Sequence, residues 1–180
     1  TKGIGIEGTS ILCRDLDRVL IDNGVSNITI NAGKNYLFEP GISVIKDVST
    51  ILNTAKVHSM HDLTEGGIST GIIEMATASK VGVVINNDDL IITPITLECC
   101  KATSINPLGL LSSGALVATL KPSDVDDVIR ALSKENILCK NIGYVTEQKS
   151  KILLTSNKRT IEFPRFHRDE LARCFDMFNS

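Results

Sequence analysis

His61-Asp62-Leu63-Thr64-Glu65-Gly66-Gly67 gathers two carboxylates, a hydroxyl and an imidazole directly in front of a glycine pair. These are the residue types that phosphate chemistry uses. Side-chain oxygens can hydrogen-bond a phosphate or assist a metal bound to it, and glycines let the backbone approach an anion without a Cβ in the way. The run lies between a short apolar stretch, Val57 to Met60, and a helix-patterned stretch from Ile68 to about Lys80. It therefore reads as strand, turn and helix start. Amides at a helix start lack intrahelical partners and sit at the positive end of the dipole, which suits an anion. A capped helix accounts for the same residues, with Asp62 or Thr64 as N-cap and the glycines turning the chain. Spacing alone leaves both readings open.

Other reactive residues are weaker candidates. His58 and His61 are three apart, which on a strand puts them on opposite faces, and no further ligand stands nearby, so no metal site is expected. His61 is either a donor to phosphate or a hydrogen-bonded strut at the strand end. Glu65 in a first helical turn serves as a general base or merely complements the dipole. Cys13, Cys99, Cys100, Cys139 and Cys174 are odd in number and spaced for neither a disulfide framework nor zinc. They read as reduced, mostly buried thiols, with Cys99-Cys100 inert in an apolar helix. Lys151, Lys158, Arg159 and Arg165 read as a solvated face.

The 180 residues, 42% of them hydrophobic, suffice for one well-buried domain. A formal net charge of -2 with both signs interspersed leaves no electrostatic footprint for nucleic acid or an anionic membrane. No apolar run reaches the roughly 18 residues that cross a bilayer, and nothing at the start resembles a signal peptide, so a cytoplasmic protein is expected. The opening Thr1-Lys2-Gly3-Ile4-Gly5-Ile6 reads as mid-protein sequence and suggests an excised domain.

Periodicity supplies the elements that must position these residues. Helices are predicted from Thr9 or Ser10 through Leu20, from Val44 to Leu52, from Ile68 to Lys80, and briefly from Ile95 to Ala102. A further helix starts at Pro122-Ser123, where Ser123 and Asp126 resemble a capping box, and an amphipathic helix closes the chain from His167. Strands are predicted at Val81 to Ile85, Ala115 to Leu120 and Ile137 to Val145, with a hairpin of Lys151 to Thr155 and Arg159 to Phe163 across Ser156-Asn157-Lys158. Asp22 to Gly41 reads as loop. Interleaved strands and helices give an α/β (α+β) class, a mixed sheet flanked by helices in one domain.

With these elements in place, four segments resemble the C-terminal domain of the aminoimidazole ribonucleotide (AIR) synthetase-like superfamily, the group of PurM, formylglycinamidine ribonucleotide synthases, selenophosphate synthetase, thiamine-monophosphate kinase and HypE. They are Gly3-Ile4-Gly5-Ile6-Glu7-Gly8-Thr9, the His61 to Gly67 run, Asn106-Pro107-Leu108, and Ser112-Ser113-Gly114-Ala115-Leu116. Among the members, AIR synthase-related and HypE-like hydrogenase maturation proteins are the most similar. The resemblance implies a PurM C-terminal-like domain, residues 1–180, from a two-domain chain whose N-terminal domain supplies most ligands for ATP and Mg2+ and the homodimer surface. It implies ATP-dependent activation of a substrate heteroatom by phosphoryl transfer, a small-molecule substrate, and a possible maturation partner protein. A non-catalytic ligand-binding or protein-interaction domain is the alternative.

The site residues it implies are Asp62 as the catalytic carboxylate, with His61, Thr64, Gly66, Gly67, Gly5, Gly8, Thr9, Ser112, Ser113 and Gly114 around phosphate and substrate. Two departures stand out. Where HypE carries Asp-His-Gly this chain has Ile6-Glu7-Gly8, and where HypE ends in cysteine this chain ends Asp176-Met177-Phe178-Asn179-Ser180, with Cys174 on the apolar face of the closing helix.

Overall fold

The computed structural model describes residues 1–157 and 159–178; Lys158, Asn179 and Ser180 lie outside the described residues. Its helices are α1 (Ile6–Asp15), α2 (Asp17–Asp22), α3 (Asn27–Lys34), α4 (Ile45–Thr54), α5 (Gly67–Ser79), α6 (Pro94–Ala102), α7 (Val125–Lys134) and α8 (Glu170–Phe178). The strands are β1 (Ser59–Leu63), β2 (Gly82–Asn86), β3 (Ala115–Thr119), β4 (Gly143–Thr146), β5 (Ile152–Ser156) and β6 (Arg159–Glu162). The class is the expected α+β.

The strands form two sheets. β1 and β3 pair antiparallel with Asp62 opposite Leu116, and the other sheet runs β4-β2-β5-β6, with β2 and β5 parallel and its remaining pairs antiparallel. Helix α5 packs against both β1 and β2 and so spans the two sheets. Its inner residues Ile68, Ile72 and Ala76 join Leu63, Val83, Ile85 and Leu154 in the central core. A second core gathers Leu12, Leu16, Leu20, Cys99, Cys100, Leu110 and Leu171, tying α1 and α6 to the closing helix α8. The third lies under α4 and α7, where Val128 and Leu132, four apart on one face of α7, meet Ile51 and Leu116.

Four local expectations need correction. Helix α3 stands inside the stretch read as loop: Ser26 Oγ accepts the Thr29 N–H at 3.1 Å as a true N-cap, and Ile30 is buried while Ile28 is 84% exposed. One buried apolar residue in two turns gives almost no periodicity to detect. The first helix is interrupted at Leu16, where α1 ends and α2 begins. The strand read from Ile137 shrinks to β4; ahead of it the Leu138 carbonyl accepts the Lys2 N–H at 2.6 Å. At α7 there is no capping box; Ser123 sits in a 3-10 turn and donates to the Asp124 carboxylate at 2.8 Å.

Candidate functional site

The four motif segments meet at one place, the backbone from Leu108 to Ser112. The Gly5 N–H donates to Ser112 Oγ at 2.8 Å and Ser112 Oγ donates to the Leu110 carbonyl at 2.6 Å. The Gly8 N–H reaches the Leu111 carbonyl at 3.0 Å. The Thr64 carbonyl accepts from Gly67 N–H at 3.0 Å and from Ser112 N–H at 3.3 Å. Asn106 fixes its own turn by accepting the Leu108 N–H on Oδ1 at 3.0 Å. Ser112 is thus hydrogen-bonded to the lead-in of α1, to the turn before α5 and to Leu110 two residues before it.

Gly66 and Gly67 are glycine for reasons of space and backbone. Gly66 caps α5 with φ +74°, and Gly67 follows at φ +60°. A Cβ on Gly67 would stand 2.5 Å from the Leu110 carbonyl oxygen and 2.8 Å from that of Leu108. The helix start is therefore pressed onto the Leu108–Leu110 backbone and does not open to solvent. The Gly66 amide is taken as well: Gly66 N–H donates to Asp169 Oδ2 at 2.6 Å. The other oxygen, Asp169 Oδ1, accepts Leu171 N–H at 2.7 Å and Leu111 N–H at 3.4 Å. One carboxylate caps the starts of α5 and α8 together, as dipoles and unpaired donors at both favour. This corrects the expected open anion cradle, and it also displaces Asp62 and Thr64 as N-caps. Asp169 was missed because it stands over 100 residues away with no motif around it.

The expected residues fall into a frame and a rim. Gly5, Gly8, Gly66, Gly67, Ser112 and Gly114 are buried and build the frame; Gly114 lies against the Gly41–Ile42 backbone. Thr9 is fully buried and shares a hydrogen bond with Thr96 at 2.8 Å, deep beneath the surface. The solvent-facing rim comprises exposed Asp62 and Glu65 and half-buried His61, Thr64 and Ser113. His61 spans from β1 to α5: its Nε2 lies 2.9 Å from Glu74 Oε2, and its Nδ1 contacts the Asp62 carbonyl. That is the strut geometry.

Electrostatics limits what the rim can hold. Asp62, Glu65 and Glu74 outnumber the single imidazole, and no lysine or arginine stands among the rim residues, so a bare phosphate meets like charge. Among the described residues no group of three or more His, Cys, Asp or Glu could hold a metal ion. The residues present do not by themselves fit ATP or Mg2+.

The closing helix is anchored by a second carboxylate. Glu170, buried, accepts the Asn106 N–H at 2.6 Å and pairs with Arg173 at 2.7 Å. Burial alone would raise its pKa, but Arg173 and the Asn106 amide outweigh that and hold it below the usual carboxylate range. All five cysteines are free; burial, with help from Cys174 and Glu170, pushes Cys100 up to about 12, as expected of an inert thiol. Cys174 is fully buried and packs in the second core. No helix among the described residues is long and apolar enough to cross a membrane.

Comparison with known proteins bears on the family and the fold. A hydrogenase expression/formation protein of Methanocaldococcus jannaschii is 24% identical over 91% of this chain and 54% of its own length. This chain thus spans about half of that relative. The crystal structure of Escherichia coli HypE superposes with a TM-score of 0.71 at 23% identity, covering 96% of this chain and 50% of that one. A HypE solved in complex with ATP gives a TM-score of 0.65 at 16% identity, covering 94% and 50%. Both structures share the fold. Residues 38–155 match the family described as AIR synthase related protein, C-terminal domain, and the chain belongs to that family.

Proposed function

We propose that this chain is the substrate-side domain of a longer ATP-using enzyme, of the HypE-like hydrogenase maturation kind, which activates a substrate heteroatom by phosphoryl transfer. The observation that carries this reading is the convergence of the four motif segments on Leu108–Ser112, with Asp62, Thr64, Glu65, His61 and Ser113 left facing solvent beside them. The acidic rim, lacking cations, supports a division of labour. Nucleotide phosphates and Mg2+ are held by another part of the protein, and this rim orients what is to be activated. Asp62, exposed near the end of β1, orients the substrate that is to be activated. When bound, ATP supplies the transferable phosphoryl group; the described side chains of this domain contribute hydrogen bonds and negative charge. A maturation partner protein and a homodimer belong to the same proposal for the whole protein.

The test is nucleotide binding and ATP hydrolysis by residues 1–180 and by the full-length protein. No binding by the domain and turnover by the whole support the division of labour. ATP hydrolysis by residues 1–180 alone overturns it.

A second reading has its own support. The Gly67 contact with Leu108 and Leu110 and the Asp169 carboxylate on Gly66 give the glycine turn a complete structural role. On that reading the domain binds a ligand or partner without catalysing, and Asp62→Asn in the full-length protein leaves turnover unchanged.

A further inference from the structure

Helices α1 and α6 meet through two side-chain contacts at successive turns. Thr9 and Cys13, four apart, share a face of α1, and Thr96 and Cys99, three apart, share a face of α6. Thr9 Oγ1 lies 2.8 Å from Thr96 Oγ1, and Cys13 Sγ lies 3.6 Å from Cys99 Sγ. All four residues are fully buried. The hydroxyls satisfy each other, as buried polar groups must. The thiols need no such partner, since a buried cysteine packs as a small apolar side chain.

Their contact matters for covalent chemistry. A disulfide requires only that two hydrogens leave and that the sulfurs close to about 2.05 Å. The two residues stand 86 positions apart, so no spacing in the sequence marks them as a pair. Their sulfurs also differ in character. The hydrogen bond from Cys99, helped by the Lys34 ammonium, outweighs desolvation and holds the Cys13 thiol below its usual value. The same bond and burial push Cys99 up. Cys13 is thus the readier nucleophile, and Cys99 keeps its proton.

Helix α3 covers the pair. It packs against α1, and Gly33 sits so close over Cys13 that a Cβ there would collide with the sulfur. The cover is lightly held. Its buried residues are Ile30 and Gly33, and its last turn hangs on bonds from Ser10 Oγ and Arg14 to the Lys34 carbonyl, each 3.0 Å long. Segments with so few buried apolar contacts open at lower cost than the whole fold.

We propose that Cys13 and Cys99 form an oxidation site that takes hydrogen peroxide or an organic hydroperoxide and closes to a disulfide, with α3 as its cover. The Cys13 thiolate attacks one peroxide oxygen, the O–O bond breaks, and the departing hydroxide takes a proton to leave as water, or as an alcohol from an organic hydroperoxide. Cys13 is then a sulfenic acid. The Cys99 sulfur displaces its hydroxyl, which leaves as water with the Cys99 proton. Two thiols are oxidised by two electrons and one peroxide is reduced. The bond ties together two helices that hold the Leu108–Ser112 backbone: α1 through Gly5 and Gly8, and α6 through the Asn106–Leu108 turn that follows it. Oxidation therefore stiffens the frame around the motif segments. The inference stands independently of the phosphoryl-transfer reading.

The test treats the full-length protein with hydrogen peroxide, blocks the remaining thiols, and maps the digested peptides by mass spectrometry. A Cys13 peptide joined to a Cys99 peptide and released by dithiothreitol is expected; the Cys100→Ser variant assigns the bond to Cys99 and not its neighbour. In Cys99→Ser, Cys13 passes on to sulfinic acid without a crosslink. Ile30→Ala, which loosens α3, speeds the crosslink at least about tenfold. Hydrogen exchange at the Gly8 amide slows in the crosslinked protein. The mapping on the unaltered protein needs no variant to fold. Cys13 and Cys99 left free while half-buried Cys139 is oxidised, or a crosslink that forms only in denaturing urea, overturns the proposal.

Discussion

Replacing Asp169 with alanine tests the double cap quantitatively. The change removes the acceptor for Gly66 N–H at 2.6 Å and for Leu171 N–H at 2.7 Å, along with the longer contact to Leu111 at 3.4 Å. Loss of an N-cap costs about 1 kcal/mol, within a range of about 0.5–2. Gly66 is buried, and an orphaned buried N–H adds about 1–3 kcal/mol. The expected destabilisation is thus about 2–4 kcal/mol, which in a chain of this size lowers the melting temperature by roughly 4–16 °C. Asp169→Asn keeps one oxygen acceptor and loses the charge, so its expected cost is about 1 kcal/mol, the scale of a helix-dipole interaction. Urea denaturation of both variants gives the energies, and hydrogen exchange at Gly66 locates them. A shift below about 0.5 kcal/mol for Asp169→Ala, with Gly66 still protected, refutes the reasoning.

Three further outcomes follow from the geometry. Gly67→Ala forces a side chain into φ +60° with its Cβ 2.5 Å from the Leu110 oxygen; αL strain and overpacking together cost about 2–5 kcal/mol, read by urea denaturation. Asp62→Asn, at an exposed position, shifts stability by less than about 0.5 kcal/mol in the same assay. Glu170 has a depressed pKa, so its stabilisation is present above the ordinary value of 4.5 and is lost as pH falls through its lowered one. Glu170→Gln therefore weakens the chain at neutral pH, and between neutrality and about pH 3 its urea midpoint falls less than that of the unaltered chain.

What the sequence made visible was local. The apolar period of α7 and the β-branched run of β2 follow directly from burying one face or both, and the structure places them where periodicity does. Helix α3 was hidden because Ile28 points to solvent and only Ile30 carries the apolar signal. The site was half legible. Residue types picked out Thr64, Gly66 and Gly67, and the family resemblance added Gly5 and Ser112; of these Gly5, Thr64, Gly67 and Ser112 meet through hydrogen bonds to one another. They could not say whether the amides of α5 face water or protein, because the deciding group, Asp169, comes from the far end of the chain. Thr9 shows the same limit: a hydroxyl beside a glycine motif reads as a ligand, yet here it faces Thr96 in the interior.

The most direct measurement is ATP-dependent turnover of the full-length protein carrying Asp62→Asn, with folding monitored on the same sample. A drop of at least about tenfold at unchanged stability is predicted, since the exposed carboxylate contributes to orientation at the rim but little to packing. Unaltered turnover in a fully folded Asp62→Asn protein contradicts a chemical role for this rim.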